Sequence, residues 1–393
     1  MVQFLFWFSL LLVLYTYVGY ALLIFLLAKY RPYKTQVQTP DGRAEQQLPE
    51  VTLFIAAYNE ADIIAEKMLN CRSLAYPAQK LQIIWVIDGS NDHSEVLLQQ
   101  YPDVQIVSSP LRNGKTAAIN HGMQHVNTPI VIFSDANCLL NSDAIHIMVN
   151  QFNDPSIGCV SGEKRVAFTD GDTISSKGEG TYWKYESLLK KLDFQYYSTV
   201  GAAGELFAIR TQLFTVMPED TLLDDFMLSM GIAQKGYRIA YTPDAYAVES
   251  GSLNMEEEAK RKRRIAAGGW QSINRLLPLL DILRYGKLSF QYISHRVLRW
   301  SVTPFALFAL WPLSFVIGLG QESPYNVFHV IFVAQVVFYL CAGIGYLQRD
   351  DLHVSKLFYI PYYFIFMNIN VLLGIYYLLS KQHRGGWEKS QRK

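Results

Sequence analysis

Two oxygen-bearing side chains, Asp135 and Asn137, follow an apolar stretch of this 393-residue sequence and are separated by one residue. Residues 130–133 read Ile-Val-Ile-Phe, which predicts a strand buried on both faces. Side chains two positions apart on an extended chain point the same way, so both could offer oxygen to one cation. Oxygen ligands suit Mg²⁺ or Mn²⁺, which commonly bridge a carboxylate to a diphosphate. Taken alone, the pattern also fits a strand followed by an ordinary polar turn.

Three further acids suggest other chemistry. Asp88 closes a second apolar stretch, residues 81–87, and its carboxylate could accept a hydrogen bond from a nucleobase imide. Asp224 and Asp225 are adjacent and lie between apolar residues. The positive N-terminal end of a helix accounts for one such acid. A second acid in an otherwise apolar stretch raises the prospect of a general base.

Two common nucleotide-binding motifs are not matched. Residues 56–60 read Ala-Ala-Tyr-Asn-Glu and lack the glycines that a dinucleotide-binding Gly-x-Gly-x-x-Gly turn requires. Gly114, Lys115 and Thr116 look like the end of a phosphate-binding P-loop, but Ser109 stands where its first glycine is required. Any nucleotide must therefore be held in another way.

Alternating strands and helices must position these acids. The sequence predicts strands at 51–57, 81–87, 104–107 and 130–133, and helices at 59–70 and 116–125. This alternation predicts an α/β fold with a doubly wound, mostly parallel sheet. In such sheets ligands bind at the carboxyl ends of the strands, where Asp88 and Asp135 are expected.

Both ends of the chain are apolar enough to enter a membrane. Residues 4–28 carry no charge and are long enough to cross a bilayer as a helix. Lys29, Arg31 and Lys34 follow this stretch, so the positive-inside rule places the next segment in the cytoplasm. Three more apolar spans are predicted at about 301–319, 327–347 and 357–379.

The predicted topology contains a conflict. Four spans would put the basic tail outside the cell, whereas basic segments tend to stay inside. Pro361, Asn368 and Asn370 suggest that the last span is broken or buried against protein. Residues 271–299 contain Pro278 and predict an amphipathic segment on the membrane surface, or alternatively a helix packed on the catalytic domain.

Composition excludes several classes of protein. The net charge of +1 gives no case for nucleic-acid binding. The four cysteines are scattered, which argues against a zinc site or a disulfide framework and fits a cytosolic domain. Charges are nearly absent from the apolar spans, which argues against a transporter, although an inactive scaffold stays open as another alternative.

These observations divide the chain into five predicted parts at the cell membrane. They are an N-terminal transmembrane helix (1–30), a cytoplasmic catalytic domain (51–270), the amphipathic segment (271–299), C-terminal transmembrane helices (300–380) and the basic tail (381–393). Residues 36–50 are a predicted linker, and residues 169–180 a predicted loop.

The ordered motifs resemble those of membrane-bound family 2 glycosyltransferases, which include polysaccharide synthases and glycolipid-forming enzymes. Residues 56–60 resemble the opening strand motif of that family, and residues 201–210 resemble its acceptor-site segment. The remaining matches are Asp88 to the first aspartate, Asp135 with Asn137 to Asp-x-Asp, Asp224 with Asp225 to the acidic pair, and Arg264 to the arginine of Gln-x-x-Arg-Trp. The match covers residues 51 to about 269. Arg261 and Ile265 replace the glutamine and tryptophan of the last motif, and because that motif is associated with processive synthases, the departure puts processivity in doubt.

The resemblance implies a GT-A-like catalytic domain that uses a nucleotide-diphosphate sugar, expected to be UDP-linked, and inverts the anomeric carbon. It assigns Asp225 as the base and Asp224 as its support, and it assigns the metal, Mg²⁺ or Mn²⁺, to Asp135 and Asn137. The donor-binding residues are expected to be Ala57, Glu60, Asp88, Lys115, Asp135 and Arg264.

Some roles keep an alternative. Lys115 could instead be a solvated helix start, and Arg264 could contact anionic lipid head groups. Asn137→Asp is expected to be tolerated, because it restores the commoner ligand type. The acceptor is either a growing polysaccharide or a lipid-linked acceptor in the bilayer.

Overall fold

The computed structural model describes residues 1–33, 48–167, 174–321, 323, 326–349, 351 and 354–380, without the side chains of 174–177 and 179. Several predictions lie outside the described residues. They concern Lys34, residues 36–47 of the linker, residues 169–173 of the loop and the basic tail over residues 381–393.

Eight strands form one sheet within the described part of the chain. They are β1 (Val51–Ala57), β2 (Leu81–Asp88), β3 (Val104–Ser109), β4 (Ile130–Asp135), β5 (Leu139–Leu140), β6 (Ile157–Ala167), β7 (Leu206–Arg210) and β8 (Arg238–Ser250). Their order is β3-β2-β1-β4-β7-β6-β8-β5. The first four are parallel, β7 is antiparallel to both of its neighbours, and β6 pairs with β8 in parallel. The α/β class and the mostly parallel sheet are confirmed, with β5 and β7 as antiparallel members.

The central strands are buried on both faces, as their apolar composition predicts. Leu53 and Ile55 of β1 lie in one apolar core, whereas Phe54 and Ala56 lie in the other. Successive strand residues point to opposite faces, so a run of apolar residues supplies both cores at once. The polar residues that follow such a strand emerge at its carboxyl end.

The helix predicted from residue 59 begins later. Asn59 adopts a left-handed backbone conformation (φ 54°), and the α-helix spans Ile64–Arg72 after a 3-10 turn. The Asn59 side chain donates to Asn91 Oδ1 at 2.7 Å and accepts from the Asn91 N–H at 2.9 Å. It joins the loops after β1 and β2 and therefore does not cap the helix.

Four helices are long and apolar enough to cross a membrane, by length and composition, in the described residues. They span Val2–Tyr30, Val302–Leu319, Val327–Leu347 and Lys356–Leu379. Each corresponds to one of the predicted spans. The last of these candidate spans, which we call the last membrane helix because of its length and composition, is continuous despite Pro361. Asn368 and Asn370 of this helix are buried, so the span is packed against protein, as one of the two predictions for it had it, and is not broken.

A long amphipathic helix, Met255–Arg275, follows β8 and packs against the last membrane helix, and we call it the interface helix. Asn254 caps its start by accepting two backbone N–H groups. Arg263 donates to Asn370 Oδ1 at 3.0 Å, and a Cβ at Gly374 would lie 2.5 Å from Ala266 Cβ. The interface helix therefore runs through position 270, where the catalytic domain was predicted to end, because it packs on both neighbours.

Beyond the end of the interface helix at Arg275, the rest of segment 271–299 forms short helices, among them Ile282–Tyr285 and Lys287–Tyr292. Leu279, Leu288 and Tyr292 belong to one of the two apolar cores of the sheet, whereas Leu283 is 96% exposed. The segment is therefore packed on the domain, as the alternative prediction had it, and it presents Leu283 outward.

Candidate active site

A cavity of about 990 Å³ lies at the carboxyl ends of β1 and β4 and extends to the last membrane helix. Seven of the predicted site residues line it: Glu60, Lys115, Asp135, Asn137, Asp224, Asp225 and Arg264. They come from widely separated segments of the sequence. Most of the predicted site residues therefore lie together around one cavity at the carboxyl ends of these strands.

Lys115 links two of the predicted acids. Its Nζ lies 2.8 Å from Asp135 Oδ1 and 3.5 Å from Asp224 Oδ2. Burial lowers the pKa of Lys115, but the carboxylates of Asp135 and Asp224 outweigh burial and raise it. The ammonium therefore stays charged in the cavity, which differs from the solvated helix start that was the alternative.

Asp224 and Asp225 open the helix Asp224–Gln234, where the helix dipole favours negative charge. Burial, and then the charge of Asp224, raise the pKa of Asp225 from 3.8 to about 7, although Lys115 opposes this rise. A Cβ at Gly204 would lie 3.1 Å from Asp225 Oδ2, so glycine leaves room beside the carboxylate. Asp225 is therefore a carboxylate able to exchange a proton near neutral pH.

The influence of Asp224 on Asp225 predicts a shift in the pH profile. Asp224→Asn removes the neighbouring charge that raises the pKa of Asp225, so that pKa should fall. Any sugar transfer that needs ionised Asp225 should then persist to lower pH than in the wild type. Transfer rates measured across a pH range of about 5 to 9, centred on the pKa near 7, check this. An unchanged acid limb would exclude Asp225 as the titrating group.

Two predicted donor-binding residues do not line the cavity. Asp88 is 2% exposed, and its two oxygens accept the backbone N–H groups of Asn113 and Gly114 at 2.8 and 2.7 Å. Ala57 is fully buried at the end of β1. Asp88 thus holds the loop that leads into Lys115, because a strand-end carboxylate can accept backbone donors as readily as those of a nucleobase.

The turn that carries Asp135 and Asn137 is held by a residue that sequence reasoning missed. Lys67 is fully buried and donates to Ser134 Oγ at 2.7 Å and to the Cys138 carbonyl at 2.6 Å. Burial lowers the pKa of Lys67. The sequence did not predict this role for Lys67, because Ser134, the nearer of its two partners along the chain, lies 67 residues away.

Asn137 has a partner that reverses one expectation. Its Nδ2 donates to Glu249 Oε1 at 3.0 Å, and Glu249 is 1% exposed. An aspartate at position 137 would bring two carboxylates together, so Asn137→Asp should not be tolerated. An asparagine at position 137 therefore suits its neighbour Glu249 on β8, and the sequence alone did not predict this contact.

The oxygen donors of this edge fit a hard divalent cation. Asp135 already binds a cationic group, the Lys115 ammonium, and Asn137 contributes an amide oxygen. Among the described residues, no group of three or more His, Cys, Asp or Glu side chains is arranged to hold a metal. The chain would thus supply few ligands, as is usual for a Mg²⁺-like ion that completes its shell with water and substrate phosphates.

Part of the cavity lining is aromatic and basic. Arg264 lines the cavity, and burial followed by the charge of Arg261 lowers the pKa of Arg264, against the pull of Asp224 and Asp135. The other lining residues that sequence reasoning did not assign include Tyr182, Trp183, Trp300, Met367, Val371 and Tyr377. Three of these belong to the last membrane helix, so the cavity wall is partly made by a candidate membrane span.

Comparison with known proteins agrees with this geometry. Residues 52–216 match the model of Glycosyl transferase family 2. The poly-beta-1,6-N-acetyl-D-glucosamine synthase of Staphylococcus aureus is 27% identical over 246 residues, which cover 60% of this chain and 58% of that protein. The beta-monoglucosyldiacylglycerol synthase of Synechocystis sp. is 25% identical over 236 residues, with 57% and 48% covered. The chain thus spans less than two thirds of the length of these relatives.

A solved mannosyltransferase from Pyrobaculum calidifontis, in complex with GDP-Man and Mn²⁺, superposes with a TM-score of 0.71 at 22% identity. The match covers 96% of this chain and 99% of that one, and it confirms the GT-A-like fold. The matched residues include β2 to β7, all of β1 except its first residue, and the Asp135 turn. Residues 52–216 are therefore similar to family 2 glycosyltransferases, and the fold that contains them is GT-A-like.

Proposed function

We propose that this chain transfers a sugar from a nucleotide-diphosphate sugar, with UDP as the expected nucleotide, to an acceptor at a membrane. The observation that carries the proposal is Asp225, whose pKa is raised to about 7 inside a cavity that also contains Lys115 and Arg264. Cations suit a diphosphate, and a carboxylate that titrates near neutrality suits a hydroxyl group that must lose its proton.

The proposed reaction is a single displacement with inversion. The acceptor hydroxyl oxygen forms a bond to the anomeric carbon, and the bond from that carbon to the diphosphate oxygen breaks. The nucleotide diphosphate leaves with the bonding electron pair. Asp225 takes the hydroxyl proton, and Lys115 and Arg264, which line the same cavity, would balance the charge on the leaving diphosphate.

A divalent cation, Mg²⁺ or Mn²⁺, is part of the proposal. Asp135 and the amide oxygen of Asn137 would hold it, and when bound it supplies positive charge to the departing diphosphate. The Pyrobaculum mannosyltransferase was solved with Mn²⁺, which supports a divalent cation in this fold. Glu60 also lines the cavity and is proposed to contact the donor.

Two acceptors are proposed, a growing polysaccharide and a lipid-linked acceptor. The names of the two relatives mention one of each, a poly-N-acetylglucosamine and a diacylglycerol glycolipid. Met367, Val371 and Tyr377 of the last membrane helix line the cavity. This favours an acceptor presented at the bilayer, and it is the observation that keeps the lipid-linked candidate beside the polysaccharide.

Purified chain in detergent, incubated with a panel of nucleotide sugars with and without Mn²⁺, tests the function. We expect release of nucleotide diphosphate from one donor, and faster release when the correct acceptor is added. Parallel reactions with an oligosaccharide and with a diacylglycerol or polyprenyl-phosphate acceptor separate the two candidates. The proposal is wrong if no donor is turned over under any of these conditions.

We also propose that the catalytic domain faces the cytoplasm of a cell whose membrane the four helices cross. Cysteine labelling of whole cells with an impermeant thiol reagent tests it at two exposed positions. Val96→Cys lies on the catalytic domain and should stay unlabelled, whereas Gln321→Cys follows the second span and should react. The wild-type chain gives the background from its own cysteines, and the opposite pattern would reverse the proposed orientation.

A further inference from the structure

We propose that Glu249 is a positioning residue, which turns the amide of Asn137 so that its oxygen, and not its nitrogen, faces the metal. This inference rests on the proposed function and adds a residue to it. It starts from the 3.0 Å hydrogen bond between Asn137 Nδ2 and Glu249 Oε1. Both oxygens of Glu249 accept hydrogen bonds, Oε2 from Lys164 and Oε1 from Asn137, so the NH₂ group of Asn137 is the part that faces Glu249.

The consequence for Asn137 is a fixed orientation. With the nitrogen held on Glu249, the oxygen is left at the other end of the planar amide group, 3.8 Å from the weak donor Cys138 Sγ. A cation can be ligated by the oxygen of an amide but not by its NH₂ group. The contact with Glu249 therefore determines which end of the Asn137 amide, the oxygen or the NH₂ group, faces a cation bound to Asp135.

Glu249 is itself held by a buried ion-pair chain. Its Oε2 accepts from Lys164 Nζ at 2.6 Å, and Lys164 also contacts Glu205 Oε1 at 2.7 Å. The Lys164 side chain is 1% exposed and that of Glu249 is fully buried. Since the Lys164 ammonium has only donors, Glu249 Oε2 must be the acceptor in this contact, which holds the Glu249 side chain in place. The chain runs from β6 to β8 and ends at the turn after β4.

This arrangement explains why asparagine, and not a second aspartate, follows Asp135. An aspartate at position 137 would face the Glu249 carboxylate across about the same 3.0 Å. Like charges at that distance in a buried site oppose each other strongly. The protein thus has a cation site with one charged ligand and one neutral ligand, and the second negative charge lies behind the neutral one.

The decisive variants are Glu249→Gln and the exchange that combines Asn137→Asp with Glu249→Gln. In Glu249→Gln alone, the new amide must turn its oxygen to Lys164 and its nitrogen to Asn137. Asn137 must then rotate to accept, which points its NH₂ group at the metal. In the double variant the glutamine at position 249 still accepts from Lys164 and donates to the carboxylate at position 137. Every hydrogen bond is then restored, and the total charge is unchanged.

The readout is binding of UDP and of GDP by calorimetry, with MnCl₂ and with EDTA, beside the unfolding temperature in EDTA. We expect Glu249→Gln to weaken Mn²⁺-dependent nucleotide binding by about 10- to 100-fold, the range for residues that orient a metal ligand through a hydrogen bond. Binding in EDTA should be unchanged, and the double variant should return to nearly wild-type affinity. Asn141→Asp, the same change of residue type outside the cavity, is the matched control for Asn137→Asp.

Each other outcome has a defined meaning. Undiminished Mn²⁺-dependent binding by Glu249→Gln overturns this inference while leaving the proposed function intact. So does a double variant that binds no better than Glu249→Gln, because a merely structural loss would not be rescued by the exchange. A wild-type chain that binds neither nucleotide, with or without Mn²⁺, overturns the inference and the proposed function together.

Discussion

Asp225→Asn should reduce sugar transfer by about 10²- to 10⁴-fold, the usual contribution of a positioned general base. Asparagine has nearly the same shape and still fits beside Gly204, but it cannot take up the hydroxyl proton. Nucleotide-diphosphate affinity should persist, because the Asp135–Lys115 pair is untouched. The measurement is the transfer rate beside nucleotide affinity for the wild type and the variant.

The fold should survive this change. The pKa of Asp225 is raised from 3.8 to about 7 in the folded protein, so the folded state binds the proton more tightly than the unfolded chain. Stability therefore falls as pH rises from about 4 to about 7, and the ionised carboxylate is a destabilising group above that window. Above the pKa of Asp225, at a pH of about 8, a neutral asparagine should consequently be at least as stable as the wild type. Thermal unfolding measures this.

Asp224→Asn is the matched control for Asp225→Asn. If both acids served only the positive end of the helix, each substitution would cost about 0.3 to 1 kcal/mol of stability and little rate. Near-normal transfer by Asp225→Asn would place the base elsewhere. Equal loss of donor binding in both variants would assign these acids to the nucleotide or the cation.

Asp135→Ala should nearly abolish donor turnover, by about 10²-fold or more, if it removes a cation ligand worth several kcal/mol. Excess chelator should have the same effect on the wild type. The substitution also removes the nearer partner of Lys115, leaving Asp224 at 3.5 Å. Turnover and nucleotide affinity, each with and without Mn²⁺, are the measurements.

Asp143→Ala is a suitable control, since Asp143 is an exposed acid shortly after the same strand and does not line the cavity. It should behave as the wild type in both assays. Full wild-type activity in excess chelator would refute the proposal that donor turnover needs a divalent cation. If chelator had no effect but Asp135→Ala were inactive, Asp135 would act through Lys115 alone.

The sequence by itself determined the features that depend on local pattern. Apolar runs such as residues 130–133 predicted buried strands, because a strand covered on both faces must be apolar throughout. The four spans and the position of Asp225 at a helix start follow from composition and from charge beside apolar residues. These features need no knowledge of which segments meet in space.

Tertiary structure alone decided which polar groups became partners. Glu249 reaches Asn137 because β6, β7 and β8 continue the sheet beside β4, in an order that no local pattern encodes. Asp88 binds backbone N–H groups because the loop at Asn113 folds over the end of β2. The last membrane helix borders the cavity because small residues let the interface helix approach it. Hydrogen bonds and ion pairs act over about 3 Å, so their partners are fixed only when packing has brought distant segments together.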